Sequence, residues 1–211
     1  MARRARAGDD KRARRDDLLA AAAQLFASGD GDLPTVDRIA ATAGVAKGTV
    51  YLYFRTREAI FADLLLHGWN GVLADAAAIF AAATSRAGKV AGFIAGYVDY
   101  LGRVPELLRL DALGGAVERN LPPEHLHDFK RQLAGRLAAA GAVVDEHLAL
   151  PAGRGGQLLM RSYALTRGLW QTFGDDAETP PEGFPLFQVD FTTELVETLT
   201  EYWRGALAAP G

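Results

Sequence analysis

The chain has 211 residues, 49% of them hydrophobic and 23% charged, the balance of a globular protein with a substantial core. It has no cysteine, which excludes a disulfide framework and a thiolate metal site. The net charge of −3 is unevenly placed: residues 1–60 hold 11 Lys/Arg against 8 Asp/Glu, and the remainder hold 12 against 18. A basic front on an acidic body suits a chain that meets phosphate at one end only.

Residues 1–15, MARRARAGDDKRARR, carry seven Arg/Lys and no apolar periodicity. They read either as a basic arm that touches a nucleic-acid backbone or minor groove, with Arg12 to Arg15 nearest the contact, or as a solvated tail. A first helix is expected from about Asp16 to Ser28, with Leu18, Ala22, Leu25 and Phe26 as its buried stripe. Its run LLAAAAQLFA reads as an amphipathic first helix in preference to a secretory leader, because Asp9, Asp10, Asp16 and Asp17 precede it and Gln24 interrupts it. Gly29, Gly31 and Pro34 end the helix and form a loop.

Thr35 to Phe54, TVDRIAATAGVAKGTVYLYF, reads as two short helices joined by a tight turn. Thr35 N-caps the first, and Asp37 places a negative charge in its first turn. Val36, Ile39, Ala40 and Ala43 form one apolar face, and Gly44 supplies the left-handed residue that ends it. Val45 and Val50 are expected to turn inward. A small residue at 40, a glycine at 44 and a branched residue at 50 suit a helix-turn-helix, whose second helix enters the DNA major groove. That helix is expected over Lys47 to Tyr53. Gly48 would let backbone N–H groups approach a phosphate, and Lys47 adds charge at the same edge. Thr49 is short enough for a base edge or a phosphate, and Tyr51 and Tyr53 can offer hydroxyls to phosphates. Leu52 either reads a thymine methyl or packs. Phe54 closes the small core. Thr56 caps the next helix and Arg57 stands at its first position, either on a phosphate or in solvent.

The segment GVAKGTVYLYFRTREAIF, within a match from about Asp16 to Leu66, resembles the DNA-binding signature of the TetR family of bacterial transcriptional regulators. The resemblance implies DNA contacts at Thr35, Lys47, Gly48, Thr49, Tyr51, Leu52, Tyr53 and Arg57. Leu52 departs from the family pattern, where this position is often polar.

Helix 4 is expected from about Arg57 to Ala83, a connector between head and body, with Gly68 and Gly71 inside it. Either close helix packing or a bend beside a cavity would account for these glycines. A segment with Phe93, Tyr97, Tyr100 and Leu101 follows and ends at Pro105. A short helix with Leu107, Leu110 and Leu113 ends near Gly114-Gly115. After Pro122-Pro123, Leu126, Phe129, Leu133, Leu137, Ala140, Val144 and Leu148 form the stripe of an amphipathic helix. Gly156 to Phe173 is apolar on most of its circumference. The last helix shows Phe187, Phe191, Leu195, Leu199, Tyr202 and Ala206. No apolar run approaches the ~20 residues of a membrane span.

Catalytic patterns are not apparent: His125 and His127 point to different helix faces, no HExxH or GxSxG occurs, and the acids read as solvated. Neither cofactor nor metal is expected. The expectation is therefore an all-α, non-enzymatic, cytoplasmic protein of about nine helices. Its parts are a basic arm (1–15), a three-helix helix-turn-helix domain (16–60) and a ligand-binding and dimerisation domain (61–211). The resemblance implies a homodimer through the last two helices on a pseudo-palindromic duplex operator. It also implies a ligand pocket in the body and repression relieved by an unknown effector. Trp69, Phe93, Tyr97, Leu107, Leu110, Phe129, Met160, Tyr163 and Trp170 read either as the lining of that pocket or as plain core, and such a lining would suit a hydrophobic or aromatic molecule. The alternative is a helical small-molecule-binding or scaffold protein without specific DNA binding.

Overall fold

The computed structural model describes residues 2–29, 31–82, 85–174 and 189–208, with side chains from Asp10 onward. The described secondary structure is helical throughout. Its elements are α1 (Ala2–Ala27), α2 (Val36–Thr42), α3 (Lys47–Tyr51), α4 (Arg57–Ala82), α5 (Arg86–Arg103), α6 (Pro105–Ala112), α7 (Gly114–Arg119), α8 (Pro123–Leu148), α9 (Arg154–Phe173) and α10 (Phe191–Ala208). The helix beyond the expected nine is α7: Gly114-Gly115 does not close α6 but opens a new turn. Helix α1 also starts well before Asp16, because Ala, Arg and Lys are strong helix formers even without an apolar stripe. Phe187, expected on the last helix, lies outside the described residues.

The chain divides into two compact units, one reaching His67 and including Leu113–Phe129, the other comprising Gly68–Ala112 and the chain from Lys130. In the first, Leu18, Ala22 and Phe26 of α1 are buried with Val36, Ile39 and Ala40 of α2, Val50 of α3, and Ile60 and Phe61 of α4. The rings of Phe26 and Phe61 lie 6.2 Å apart. Leu25, Ala43 and Val45 are only half-buried.

In the second unit, Trp203 of α10 is sealed beside Phe80 and Phe93, with ring centroids 5.9 and 5.1 Å away. Its indole N–H donates to Ser162 Oγ at 3.0 Å. Thr166 donates to the Ser162 carbonyl at 2.8 Å and meets the Tyr97 hydroxyl at 2.9 Å, so the polar atoms among these rings are satisfied. The helical glycines of α4 serve packing. A Cβ at Gly68 would stand 2.5 Å from Leu107 Cδ1, and one at Gly71 would collide with the Tyr100 hydroxyl. Tyr100 also donates to the Gly68 carbonyl at 3.2 Å.

Helices α8 and α9 cross with backbones in contact: a Cβ on Gly141 would lie 2.6 Å from Gly156 Cα. Gly153, at φ +84°, offers no side-chain cap to α9. Asp145 supplies one from α8, accepting from the N–H of Gly153 at 2.7 Å and from that of Gly155. Asp190 caps α10 likewise, and its hydrogen bonds from Thr193 hold its carboxyl below the ordinary aspartate range.

Contrary to the sequence expectation, α4 has the length and composition of a membrane span. Of its apolar side chains, Ile60, Phe61 and Leu65 are buried in the first unit and Val72, Ala76 and Phe80 in the second.

Candidate nucleic-acid interface

Three local features shape the surface between residues 35 and 57. Thr35 is extended, and its hydroxyl accepts from the Arg38 N–H at 3.4 Å, so its side chain is committed to capping α2. Gly44, at φ +66°, makes the turn that lets α3 double back on α2. Ala46 starts α3 without a side-chain cap.

The back of α3 is closed and its front is open. Val50 is fully buried, and Phe54 just beyond the helix is 2% exposed. Loss of a ring buried like that of Phe54 costs about 3–5 kcal/mol. Tyr51 is 47% exposed and Leu52 76%, which removes packing within this chain as the reason for a leucine at 52. Leu52 is the C-cap of α3, not an interior residue, so the helix ends two residues earlier than expected. A Cβ at Gly48 would meet nothing within 4 Å, so nothing in the protein itself requires a glycine there.

Lys47 and Arg57 are already paired. Lys47 Nζ donates to Asp37 Oδ2 at 2.8 Å, and that hydrogen bond and the charge of Asp37 push the Lys47 pKa above its ordinary value. Arg57 donates from Nε and Nη2 to Glu58 Oε1 at 3.1 and 3.0 Å, and from Nη1 to the Leu33 carbonyl at 3.5 Å. Thr56 caps α4 through the Ala59 N–H at 3.2 Å. Arg15, expected near the DNA, donates to the Tyr53 carbonyl at 3.1 Å and to Asp63, a carboxylate that no sequence motif singles out. Lys11, Arg12 and Arg14 are exposed. An open groove runs beside Tyr53, lined by Asp10, Lys11, Ala13, Arg14 and Asp17.

Of the residues expected around an effector, eight lie in the second unit and Phe129 in the first. Trp69, Phe93, Tyr97, Leu107, Leu110 and Trp170 are buried in the second unit, and Tyr163 is half-buried there. Phe129 belongs to the first unit, and Met160 is 43% exposed, facing outward from α9. Both were placed by helical spacing alone, which fixes a side chain's face but not what covers it. Within the second unit, Trp69 donates to Asp111 Oδ1 at 3.0 Å, Tyr163 reaches both Asp111 oxygens at 3.2 Å, and Arg167 Nε lies 3.5 Å from Oδ2. Asp111 is 6% exposed, so it is a buried acid where the sequence suggested a solvated one. Among the described residues no cluster of three or more His, Asp or Glu could hold a metal ion.

A capped helix, a left-handed glycine and a second helix with a sealed back and an open front define a helix-turn-helix protein. A family profile described as "Bacterial regulatory proteins, tetR family" matches residues 18–64, and one described as "Tetracyclin repressor-like, C-terminal domain" matches residues 66–210. The chain belongs to the tetR family of bacterial transcriptional regulators. Its fold is shared with a tetR-family regulator of Mesorhizobium loti at 16% identity and a TM-score of 0.62, with 94% of this chain and 96% of that one covered. The fatty acid degradation regulator FadR of Bacillus halodurans aligns at 20% identity and 0.61, covering 93% and 99%. FadR of Bacillus subtilis, solved in complex with stearoyl-CoA, aligns at 18% and 0.54, covering 87% and 96%. No curated protein gives a significant match.

Proposed function

We propose that the chain is a cytoplasmic, homodimeric repressor that binds a pseudo-palindromic operator and leaves it when a small hydrophobic molecule enters the second unit. The observation that carries this reading is the solvent-facing pair Tyr51 and Leu52 in front of a buried Val50 and Phe54. A leucine so exposed on a recognition helix is suited to a thymine methyl. Lys47, Tyr51, Tyr53 and the backbone at Gly48 would meet phosphates, and Thr49 a base edge or a phosphate. Thr35 and Arg57 would contribute from the flanks, Arg57 by exchanging its present partners for a phosphate.

The dimer reading is supported by the outward sides of α9 and α10. Met160 and Val196 are exposed there, and Ala164 and Gly168 leave the same side of α9 flat enough for a partner helix. In such a dimer the two recognition helices would stand about one DNA turn, ~34–36 Å, apart. The effector reading is supported by the aromatic content of the second unit around Trp69, Phe93, Tyr97, Leu107, Leu110, Tyr163 and Trp170. Stearoyl-CoA, the ligand of the Bacillus subtilis neighbour, is a first probe. Helix α4, which contributes to both units, is the lever: an effector acts by its differential affinity for the DNA-competent and DNA-incompetent states.

The test is selection of duplexes from a randomised library by the full-length protein, followed by titration at two salt concentrations. Saturable binding to an enriched inverted repeat is the expected result, and Thr49→Ala should change which repeat is enriched. Weak, sequence-blind attachment that vanishes with salt would overturn the reading in favour of a helical small-molecule binder.

A further inference from the structure

Arg15 differs from its basic neighbours. Lys11, Arg12 and Arg14 are exposed, whereas Arg15 is half-buried and engaged on three sides. Its Nη1 donates to the Tyr53 carbonyl at 3.1 Å, its Nη2 donates to Asp63 on α4, and its Cζ lies 4.2 Å from the centroid of the Phe54 ring. Residues 53 and 54 form the exit of the recognition helix. Their N–H groups both return to the Val50 carbonyl, at 3.0 and 2.9 Å. The Tyr53 carbonyl, beyond the last helical turn, depends on a donor from elsewhere. A planar guanidinium can fork between a carbonyl and a carboxylate while stacking on a ring, and an ammonium cannot.

We infer that Arg15 is a positioning residue for DNA recognition, not a phosphate ligand. By holding the Tyr53 carbonyl and the Phe54 ring, it fixes the exit of α3 to α1, and Asp63 holds the guanidinium in that orientation from α4. The inference rests on the DNA-binding reading above, and it reverses a sign that simple electrostatics would predict. If Arg15 served a phosphate, Asp63 would be a competitor. Asp63→Asn would then release a cation, remove a negative charge and tighten binding. If Arg15 is a strut, Asp63→Asn loosens α3 and weakens binding. Arg15→Lys separates the roles again, since it keeps the charge but loses the fork and the stacking.

The experiment uses full-length wild type, Arg15→Lys and Asp63→Asn with the duplex most enriched by the wild type from a randomised library. Affinity is measured across a salt series. Both variants should lose about tenfold, the size of one charge-assisted hydrogen bond, with the salt slope of the wild type retained. In parallel, hydrogen exchange on the DNA-free proteins should accelerate at the amides of Tyr53 and Phe54 and stay unchanged at those of Ile39 and Ala43. Tighter or unaltered binding by Asp63→Asn, full affinity in Arg15→Lys, or unaltered exchange at residues 53 and 54 would overturn the inference. If the wild type enriches no duplex, the DNA-binding reading fails, while the exchange measurement still decides whether Arg15 holds α3.

Discussion

Trp69 donates its indole N–H to Asp111 across 3.0 Å, joining α4 to α6 through a carboxylate that is 6% exposed. Tyr163 and Arg167 approach the same carboxylate from α9, so one acid binds three helices. Asp111→Ala strips partners from a buried indole N–H and a half-buried hydroxyl, and is expected to lower stability by about 3 kcal/mol. Trp69→Phe leaves Asp111 its other donors and should cost less through this bond. Urea denaturation followed by circular dichroism measures both, and equal midpoints for Asp111→Ala and wild type would show that the carboxylate ties nothing.

Alkaline stability should depend on Tyr163. Burial, and next the negative charge of Asp111, push its hydroxyl up to about 12. An unfolded tyrosine ionises near ~10. The folded chain therefore retains a proton that the unfolded one loses, and this contribution is complete below pH ~10 and disappears as the pH rises toward about 12. The melting temperature should fall across that window, less steeply in Tyr163→Phe. Parallel declines in the two proteins would place the alkaline transition elsewhere. Tyr97, raised by burial in the same way, bounds how much of the decline Tyr163 can explain.

The pairing of Lys47 with Asp37 gives a prediction opposite in sign to that for Asp63. Lys47→Ala should weaken binding to every duplex and reduce the salt slope by about 0.9, the value for one phosphate contact. Asp37→Asn should strengthen binding, because the ammonium then reaches phosphate without giving up a partner. Unchanged affinity in both variants would take Lys47 out of the interface.

The glycines separate by what surrounds them. Gly155→Ala drives a methyl against Val144 Cβ at 2.7 Å and should cost about 1–3 kcal/mol by overpacking. Gly44→Ala meets no neighbour but holds φ at +66°, and should cost about 1 kcal/mol. Gly48→Ala has neither problem and should leave the melting temperature unchanged or slightly higher while weakening DNA binding. A destabilised Gly48→Ala protein would show that this glycine serves the fold instead.

Local patterns were legible in the sequence and long-range partners were not. Thr35 and Gly44 act within a turn of their own positions, and the burial of Val50 and Phe54 follows from residue type and spacing. The packing role of Gly68 and Gly71 could be read as one of two options, but not their partners Leu107 and Tyr100. The length of α1 was missed because an alanine- and arginine-rich segment forms a helix without an apolar stripe. Helix α7 was missed because paired glycines signal an ending. The contact of Arg15 with Asp63 joins residues 48 positions apart, and that of Trp69 with Asp111 joins residues 42 apart; no periodicity carries such information. Met160 and Phe129 share the helical spacing of core residues, and only the packed chain distinguishes them.

The three tryptophans, Trp69, Trp170 and Trp203, are all buried, and all belong to the second unit. Intrinsic indole emission therefore reports on that unit alone. Melting of the first unit would leave the spectrum silent, whereas a molecule lodging among these rings would alter the emission directly. The chain carries its own optical reporter for the second unit, and an indole introduced at the solvent-facing Leu52 would add a separate one for α3.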